Sequence, residues 1–120
     1  MTNPCDLSAL DARRLIGSGK LSPVELLDSC IEQIERINPA VNAVTATNYE
    51  RARKEAKAAE AAVRQGGPLG PLHGLPLGIK DLNETEGMLT TYGSPIYKDY
   101  VPEKDAVSYT HLTLPTIVSV

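Results

Sequence analysis

The sequence predicts an α/β fold in which three N-terminal helices lead into short strands. Residues that favour helix N-caps stand before three helical stretches, at Ser8, Ser22 and Asn48. Short apolar or β-branched runs at residues 43–47 and 77–82 are typical of strands. At 120 residues, the chain is one small domain or part of a larger one.

Composition indicates an ordinary soluble protein surface. Charged residues make up 22% of the chain and the formal net charge is −3, so no basic face is offered to a nucleic-acid backbone. The apolar runs are far shorter than the roughly 20 residues that a membrane helix needs, and no signal peptide is evident. Cys5 and Cys30 match no metal or redox spacing. We therefore expect a cytoplasmic protein without cofactor or metal.

The first two helices are predicted from caps and periodicity. Ser8 should begin a helix that ends at Gly17 or Gly19. Ser22-Pro23 begins a second helix with a first-turn proline, which is predicted to end at Asn38-Pro39 because the residue before proline avoids the helical region. Five apolar residues give this helix one stripe at steps of three and four: Val24, Leu27, Ile31, Ile34 and Ile37.

The third predicted helix is long and rich in alanine. Asn48 should cap it, and it should run through Arg64 or Gln65 and stop at Gly66-Gly67. Its charges are mixed in sign, which predicts a solvated outer face and a narrow alanine seam on the inner side.

The candidate chemistry lies between residues 66 and 95. Gly and Pro alternate with Leu through residue 76, which predicts a loop. The next run, 77–82, predicts a short buried strand that carries Lys80 and Asp81, whose side chains point to opposite faces and so do not neutralise each other. Burial lowers the pKa of a lysine, and a neutral amine can act as a general base. The alternative is that Lys80 reaches the strand end and is only a surface cation.

Residues 70–95 resemble the lysine region of the amidase signature family. In that family a helical N-terminal segment precedes a G-[IV]-K-D strand and a Thr-rich loop that ends in Gly-Ser. The resemblance covers roughly residues 5–105, and it implies N-terminal helices plus the first strands of a mixed sheet sandwiched by helices, incomplete in this chain. Four stretches carry it, in order along the chain: LSPVEL at 21–26, INPAVNA at 37–43, GIKD at 78–81 and TTYGS at 90–94.

This resemblance implies an amidase that hydrolyses a carboxamide C–N bond with a Ser–Ser–Lys triad. Lys80 matches the family's lysine, which deprotonates a bridging serine held by a cis peptide bond, and that serine activates the nucleophilic serine. Backbone N–H groups of a Gly/Ser-rich loop would hold the oxyanion. Because that loop lies well downstream of the lysine, neither triad serine nor a substrate-binding residue is assigned. Ser94 matches the Gly-Ser loop, and we expect the 120-residue chain alone to be inactive.

Two alternatives remain open. One is the amidase subunit of a tRNA-dependent amidotransferase, which shares the lysine strand and would need partner subunits and a glutamine substrate. The other is a non-catalytic helical interaction protein, favoured if the chain alone folds as a stable monomer. The amidase interpretation implies a small-molecule amide substrate, no membrane, and no nucleic acid outside the amidotransferase alternative; a homo-oligomer stays open. His73 has no second ligand at metal spacing and is interpreted as a plain loop histidine.

The last residues depart from the family pattern. The string VSYTHLTLPT at 107–116 resembles the translation of a transposon-end sequencing-library adapter. One reading frame, GTC TCT TAT ACA CAT CTG ACG CTG CCG ACG, encodes that whole string. We therefore predict two parts: residues 1–106, the N-terminal portion of an amidase-signature domain, and residues 107–120, a non-native tail on a truncated reading frame. The alternative is a divergent native strand.

Overall fold

The computed structural model describes residues 3–107 and the backbone of residues 118–119. Three helices and three two-residue strands make up most of its regular structure, so the predicted α/β character is confirmed. In chain order the elements are a 3₁₀ turn Pro4–Asp6, α1 Ala9–Gly17, α2 Pro23–Val41, β1 Ala46–Thr47, α3 Tyr49–Gln65, β2 Gly78–Ile79, a second 3₁₀ turn Pro95–Tyr97, and β3 Val118–Ser119.

The first two helices begin where the sequence predicts. The Ser8 hydroxyl accepts a hydrogen bond from the Asp11 N–H at 3.1 Å, and the Ser22 hydroxyl accepts one from the Val24 N–H at 3.0 Å. Each cap satisfies an N–H group that the first helical turn leaves without a partner. Ser22 also donates to the carboxylate of Glu60, and this bond joins the start of α2 to α3.

Helix α2 is longer than predicted, and the expected end at Asn38-Pro39 is wrong. The helix continues through Pro39 to Val41 and ends at Asn42, which has a left-handed φ of 50°. A proline in the last turn removes only one hydrogen bond, so the turn survives. The Asn38 side chain also holds the chain after the helix, because it donates to the Val44 carbonyl at 3.0 Å and accepts from its N–H at 2.9 Å.

Helix α3 has the predicted ends. The Asn48 side chain accepts from the Arg51 N–H at 3.1 Å, and Gly66 ends the helix with a φ of 74°, a conformation that glycine adopts without steric cost. The alanine seam is confirmed: its residues pack toward α2, and their small side chains let the two helices come close. Its buried members are Ala52, Ala56 and Ala59.

The apolar core has two clusters on either side of α2. One joins α1 and the start of α2 to Leu75 of the Gly/Pro loop, and Ile16 at its centre is completely buried. The other packs Leu27 and Ile31 of α2 against the alanine seam. Burial of aliphatic side chains of this size contributes roughly 1.5–3 kcal/mol each, so these two clusters supply most of the packing energy that holds the helices together.

The predicted Gly/Pro loop lies over the first cluster and is tied down at several points. Gly74 has a φ of 79°, and a Cβ there would lie 3.0 Å from Pro23 and 3.2 Å from Ile16, so only glycine permits this approach. The Arg13 guanidinium donates twice to the Gly70 carbonyl, at 3.1 and 3.0 Å. The loop is therefore ordered by its contacts although it has no regular structure.

The strands form a mixed sheet in which β3 lies between the other two. β1 pairs with β3 antiparallel and β2 pairs with β3 parallel, as the mixed sheet implied by the family resemblance requires. The predicted strand at 43–47 is shorter, at 46–47, and the predicted strand at 77–82 is reduced to 78–79. The reason is that the described part of β3 offers only two residues to pair with on each side.

Two further observations concern the chain as a whole. No helix within the described ranges is long and apolar enough to cross a membrane. Of the predicted tail, residues 108–117 and 120 lie outside the described residues, and residues 118–119 form β3.

Candidate functional site

Lys80 lies immediately after β2 and is exposed. Its carbonyl accepts a hydrogen bond from the Asn83 N–H at 2.9 Å, which makes Lys80 the first residue of a turn. Within residues 3–107 its ammonium group forms no hydrogen bond or ion pair with a neighbouring side chain. The prediction of a buried strand over 77–82 is therefore wrong at this position, because pairing ends at Ile79 and the chain turns away; Leu82 is 56% exposed.

Asp81 joins the two motifs of the candidate site. Its carboxylate accepts a hydrogen bond from the Thr91 N–H at 2.8 Å and a second one from the Thr91 hydroxyl. Thr91 Oγ1 in turn accepts from the Gly93 N–H at 3.2 Å. Lys80 and Asp81 form no ion pair with each other, which agrees with the prediction that they do not neutralise each other. We call this arrangement the Asp81–Thr91 clasp; it fixes the backbone that follows Lys80.

The Thr-rich loop makes a tight left-handed turn. Tyr92 and Gly93 both have positive φ angles, 54° and 69°, and a non-glycine residue in this region stores of order 1–3 kcal/mol of strain. The Ser94 hydroxyl accepts from the Ile96 N–H at 3.3 Å and caps the following 3₁₀ turn. Ser94 therefore has a structural role at the end of the loop, in line with its assignment to the Gly-Ser motif.

A tyrosine cluster around Glu84 holds this turn in place. The Glu84 carboxylate accepts from the Tyr92 hydroxyl at 2.6 Å and from the Tyr100 hydroxyl at 3.0 Å. The Tyr97 ring meets the Tyr92 ring edge-on, with centroids 5.1 Å apart. The hydrogen bond to Glu84 raises the pKa of Tyr92 to about 12, and the two hydroxyl donors lower the pKa of Glu84.

Backbone hydrogen bonds close residues 80–106 into one unit, which we call the 80–106 loop. The Arg51 guanidinium of α3 donates to the Glu86 carbonyl at 2.6 Å and attaches this loop to the helical part. Lys80 thus projects from a segment whose backbone is held on several sides. The closing bonds run from Glu86 N–H to the Asp105 carboxylate at 2.6 Å, and from Gly87 to Pro102 at 3.0 Å, Thr90 to Tyr100 at 2.9 Å and Ala106 to Glu84 at 2.8 Å.

Two threonines are buried under the 80–106 loop, each with 1% of its surface exposed. The Thr90 hydroxyl donates to the Met88 carbonyl at 3.3 Å. The Thr85 hydroxyl is buried without a hydrogen-bond partner in the described part of the chain. A buried hydroxyl without a partner is unfavourable by roughly 1–3 kcal/mol, so the two threonines contribute to stability in opposite directions.

His73 is a loop histidine that contacts the backbone, as interpreted from the sequence. Its Nε2 lies 2.9 Å from the Ala59 carbonyl oxygen, and because a carbonyl can only accept, this contact places the proton on Nε2. The bond ties the Gly/Pro loop to α3. Among the described residues, no three His, Cys, Asp or Glu side chains gather as a metal site would require.

Sequence reasoning identified Lys80 and the two motifs but missed the groups that hold them. Neither the Asp81–Thr91 clasp nor the cluster around Glu84 was predicted. The available signal for the cluster was compositional: three of the five tyrosines fall between residues 92 and 100. That concentration indicates aromatic packing without revealing which carboxylate the hydroxyls share.

The paired motifs and the mixed sheet define the N-terminal part of an amide-hydrolase domain. A family model described as Amidase matches residues 25–119. The chain belongs to the amidase family, as the sequence resemblance implied. The match includes residues beyond 106, and the origin of that segment stays a prediction.

Known relatives place the chain within this family in more detail. It is 39% identical over 112 residues to the A-type subunit of a glutamyl-tRNA(Gln) amidotransferase from Roseiflexus sp. (strain RS-1), a match that covers 93% of this chain and 23% of that protein. It is 34% identical over 101 residues to an acylamidase from Rhodococcus erythropolis, covering 84% of this chain and 21% of that protein.

The fold is also found in solved structures. A bacterial aryl acylamidase belonging to the amidase signature enzymes matches with a TM-score of 0.82 and 30% identity, over 93% of this chain and 25% of that one. The chain therefore spans about a quarter of the length of the relatives it matches. The prediction of an incomplete amidase-signature fold is confirmed.

Proposed function

We propose that this chain carries the lysine base of an amidase that hydrolyses a carboxamide C–N bond, with Lys80 as the base of a Ser–Ser–Lys triad. The Asp81–Thr91 clasp is the observation that carries the proposal. It links the GIKD motif to the Thr-rich loop ten residues along the chain and so fixes where Lys80 leaves the strand. A general base needs such a defined position, because proton transfer requires hydrogen-bond distance to the group that loses the proton.

The proposed chemistry needs a neutral amine on Lys80. Such an amine takes the proton of the bridging serine, which takes that of the nucleophilic serine as its oxygen attacks the amide carbonyl. The protonated lysine can later return a proton through the same path to the leaving amine. Lys80 is exposed here, and the relatives are about four times as long. We infer that the rest of such an enzyme supplies both serines and covers Lys80, since burial favours the neutral amine.

The test uses a chimera, because the 120-residue chain alone is expected to hydrolyse no simple amide above background. Residues 77–106 contain the complete 80–106 loop and replace the aligned segment of the Rhodococcus erythropolis acylamidase. In this chimera, Lys80→Ala should lower kcat by 10²- to 10⁴-fold, the range for loss of a proton-transfer residue. Lys80→Arg should fail equally, because arginine keeps the charge but does not deprotonate in proteins.

The matched control is Lys98→Ala in the same chimera. Lys98 is exposed, lies in the 80–106 loop and follows the second 3₁₀ turn, so its removal should leave kcat unchanged. A Lys80→Ala chimera that keeps more than about a tenth of the parent kcat would overturn the assignment of Lys80.

The similarity to an amidotransferase component supports a second candidate function. In that case the amide substrate is glutamine, and the product ammonia passes to an aminoacyl-tRNA bound by partner subunits. The same segment, residues 77–106, can be placed in the Roseiflexus protein. Full activity in that host together with a strong loss in the acylamidase host would favour the amidotransferase. The reverse result would favour a small-molecule amidase, which we propose to be cytoplasmic.

A further inference from the structure

The fold brings the two cysteines of the chain together, although they are distant in sequence. The 3₁₀ turn Pro4–Asp6 packs on α2. The Cys5 N–H donates to the Ser29 hydroxyl at 3.1 Å, and Ser29 is the residue before Cys30 in α2. Since consecutive Cα atoms are about 3.8 Å apart, this bond places the backbone of Cys5 beside that of Cys30.

Both cysteine side chains line the same cavity. It has a volume of about 290 Å³ and lies between the first 3₁₀ turn, α1, α2 and the end of the Gly/Pro loop. Its other lining residues are apolar, among them Leu7, Leu26 and Leu75. Both thiols are free and half-buried. Burial raises the pKa of Cys30, and the neighbouring Cys5 raises it further, which shows that the two sulfur atoms lie near enough to interact.

We propose that Cys5 and Cys30 form a dithiol site that low-molecular-weight disulfides oxidise to an intramolecular disulfide. Two free thiols facing one open cavity can approach each other without displacing a packed side chain. A disulfide here would close the chain from residue 5 to residue 30 and fasten the first 3₁₀ turn to α2. The inference uses no part of the 80–106 loop and does not rest on the proposed amidase activity.

The reaction is a thiol–disulfide exchange in two steps. The Cys5 thiolate attacks one sulfur of the disulfide reagent, whose S–S bond breaks, and one reagent thiolate leaves. The Cys30 thiolate then attacks the Cys5 sulfur, forms the protein disulfide and releases the second reagent thiolate. The protein loses two protons and two electrons, which reduce the reagent to two thiols. Cys5 reacts first, because the raised pKa of Cys30 leaves less of its thiolate available.

The test measures the equilibrium constant for disulfide formation in the full 120-residue chain. The chain is incubated in glutathione buffers of graded ratio, once in native buffer and once in concentrated guanidinium chloride. Free thiols are then alkylated, and the species are counted by mass spectrometry. We expect the intramolecular disulfide to be favoured at least about tenfold more in native buffer, because folding raises the effective concentration of one thiol at the other.

The matched control moves one thiol away from the cavity while keeping two cysteines in the chain. In the variant Cys5→Ser/Leu10→Cys the new thiol stands on α1 at a position that is 61% exposed, and circular dichroism verifies that the helices remain. This variant should show no native gain. Equal constants for the parent chain in the two buffers would overturn the proposal. So would an equal gain in the control, or oxidation that gives only mixed disulfides and intermolecular dimers.

Discussion

The Asp81–Thr91 clasp makes a prediction that can be measured at one backbone amide. Replacing Asp81 by alanine removes both acceptors of Thr91, one for its N–H and one for its hydroxyl. Hydrogen bonds to a charged group contribute roughly 1.5–3 kcal/mol each. Water replaces part of this at a half-buried site, so we take the lower end for both bonds. The local opening free energy at Thr91 should then fall by about 3 kcal/mol, on the order of a 10²-fold change in the opening equilibrium.

Asp81→Asn should have a smaller effect, because the amide keeps one carbonyl oxygen as an acceptor for the Thr91 N–H. Loss of one bond of the pair predicts about 1.5 kcal/mol, close to a tenfold change. The assay is native-state hydrogen exchange at the Thr91 amide, followed by NMR or by mass spectrometry of the peptide that contains it. The Gly93 amide, which donates to Thr91, should accelerate in parallel.

The control is Asp99→Ala, an exposed aspartate in the same 80–106 loop. Its removal should leave exchange at Thr91 unchanged. Exchange at Thr91 within about twofold of the parent rate in Asp81→Ala would show that the clasp does not order the loop. An equal acceleration in Asp99→Ala would show that any loss of charge produces the effect.

Three further predictions concern the same region and the tail. Thr85→Val should raise the free energy of unfolding by about 1–2 kcal/mol in urea titrations, because it removes the buried hydroxyl without a partner among the described residues, whereas Thr90→Val, which loses a hydrogen bond, should lower it. The stabilisation from the Tyr92–Glu84 bond is present above the ordinary carboxyl pKa of 4.5 and is lost as pH falls through the lowered pKa of Glu84. At high pH it is present below the ordinary tyrosine pKa of 10 and is lost near pH 12; Tyr92→Phe should remove an ionisation near pH 12 from the ultraviolet absorbance titration. Sequencing the source DNA should show a different continuation after residue 106, and recovery of the same codons followed by a natural stop would contradict the adapter interpretation.

The helix boundaries could be predicted wherever a local signal decides them. Asn48 and Gly66 fix the ends of α3 through contacts within a few residues of each end, so the sequence alone contains the answer. The end of α2 could not be read this way. The rule for residues before proline is a local preference, and the two hydrogen bonds between Asn38 and Val44 outweigh it; these depend on the path of the chain after the helix.

The candidate site was predictable in its motifs and unpredictable in its support. Lys80 was found because GIKD and TTYGS are specific strings in fitting order. Its exposure was not foreseen, since an apolar run gives the same signal for a buried strand and for a strand end followed by a turn. The clasp and the cluster around Glu84 join residues of an irregular segment, where no periodicity indicates which side chains meet.

The alanine seam of α3 links the helix packing to both irregular segments. The Ala59 carbonyl contacts His73, and Arg51, one residue before Ala52, reaches the Glu86 carbonyl. A larger side chain in the seam would move α3 outward and stretch both attachments at once. Over evolutionary time, we therefore expect the seam of this family to accept only glycine, alanine or serine, while the exposed charged positions between its members drift freely. An α3 that changes at the seam should do so only together with compensating changes in both loops.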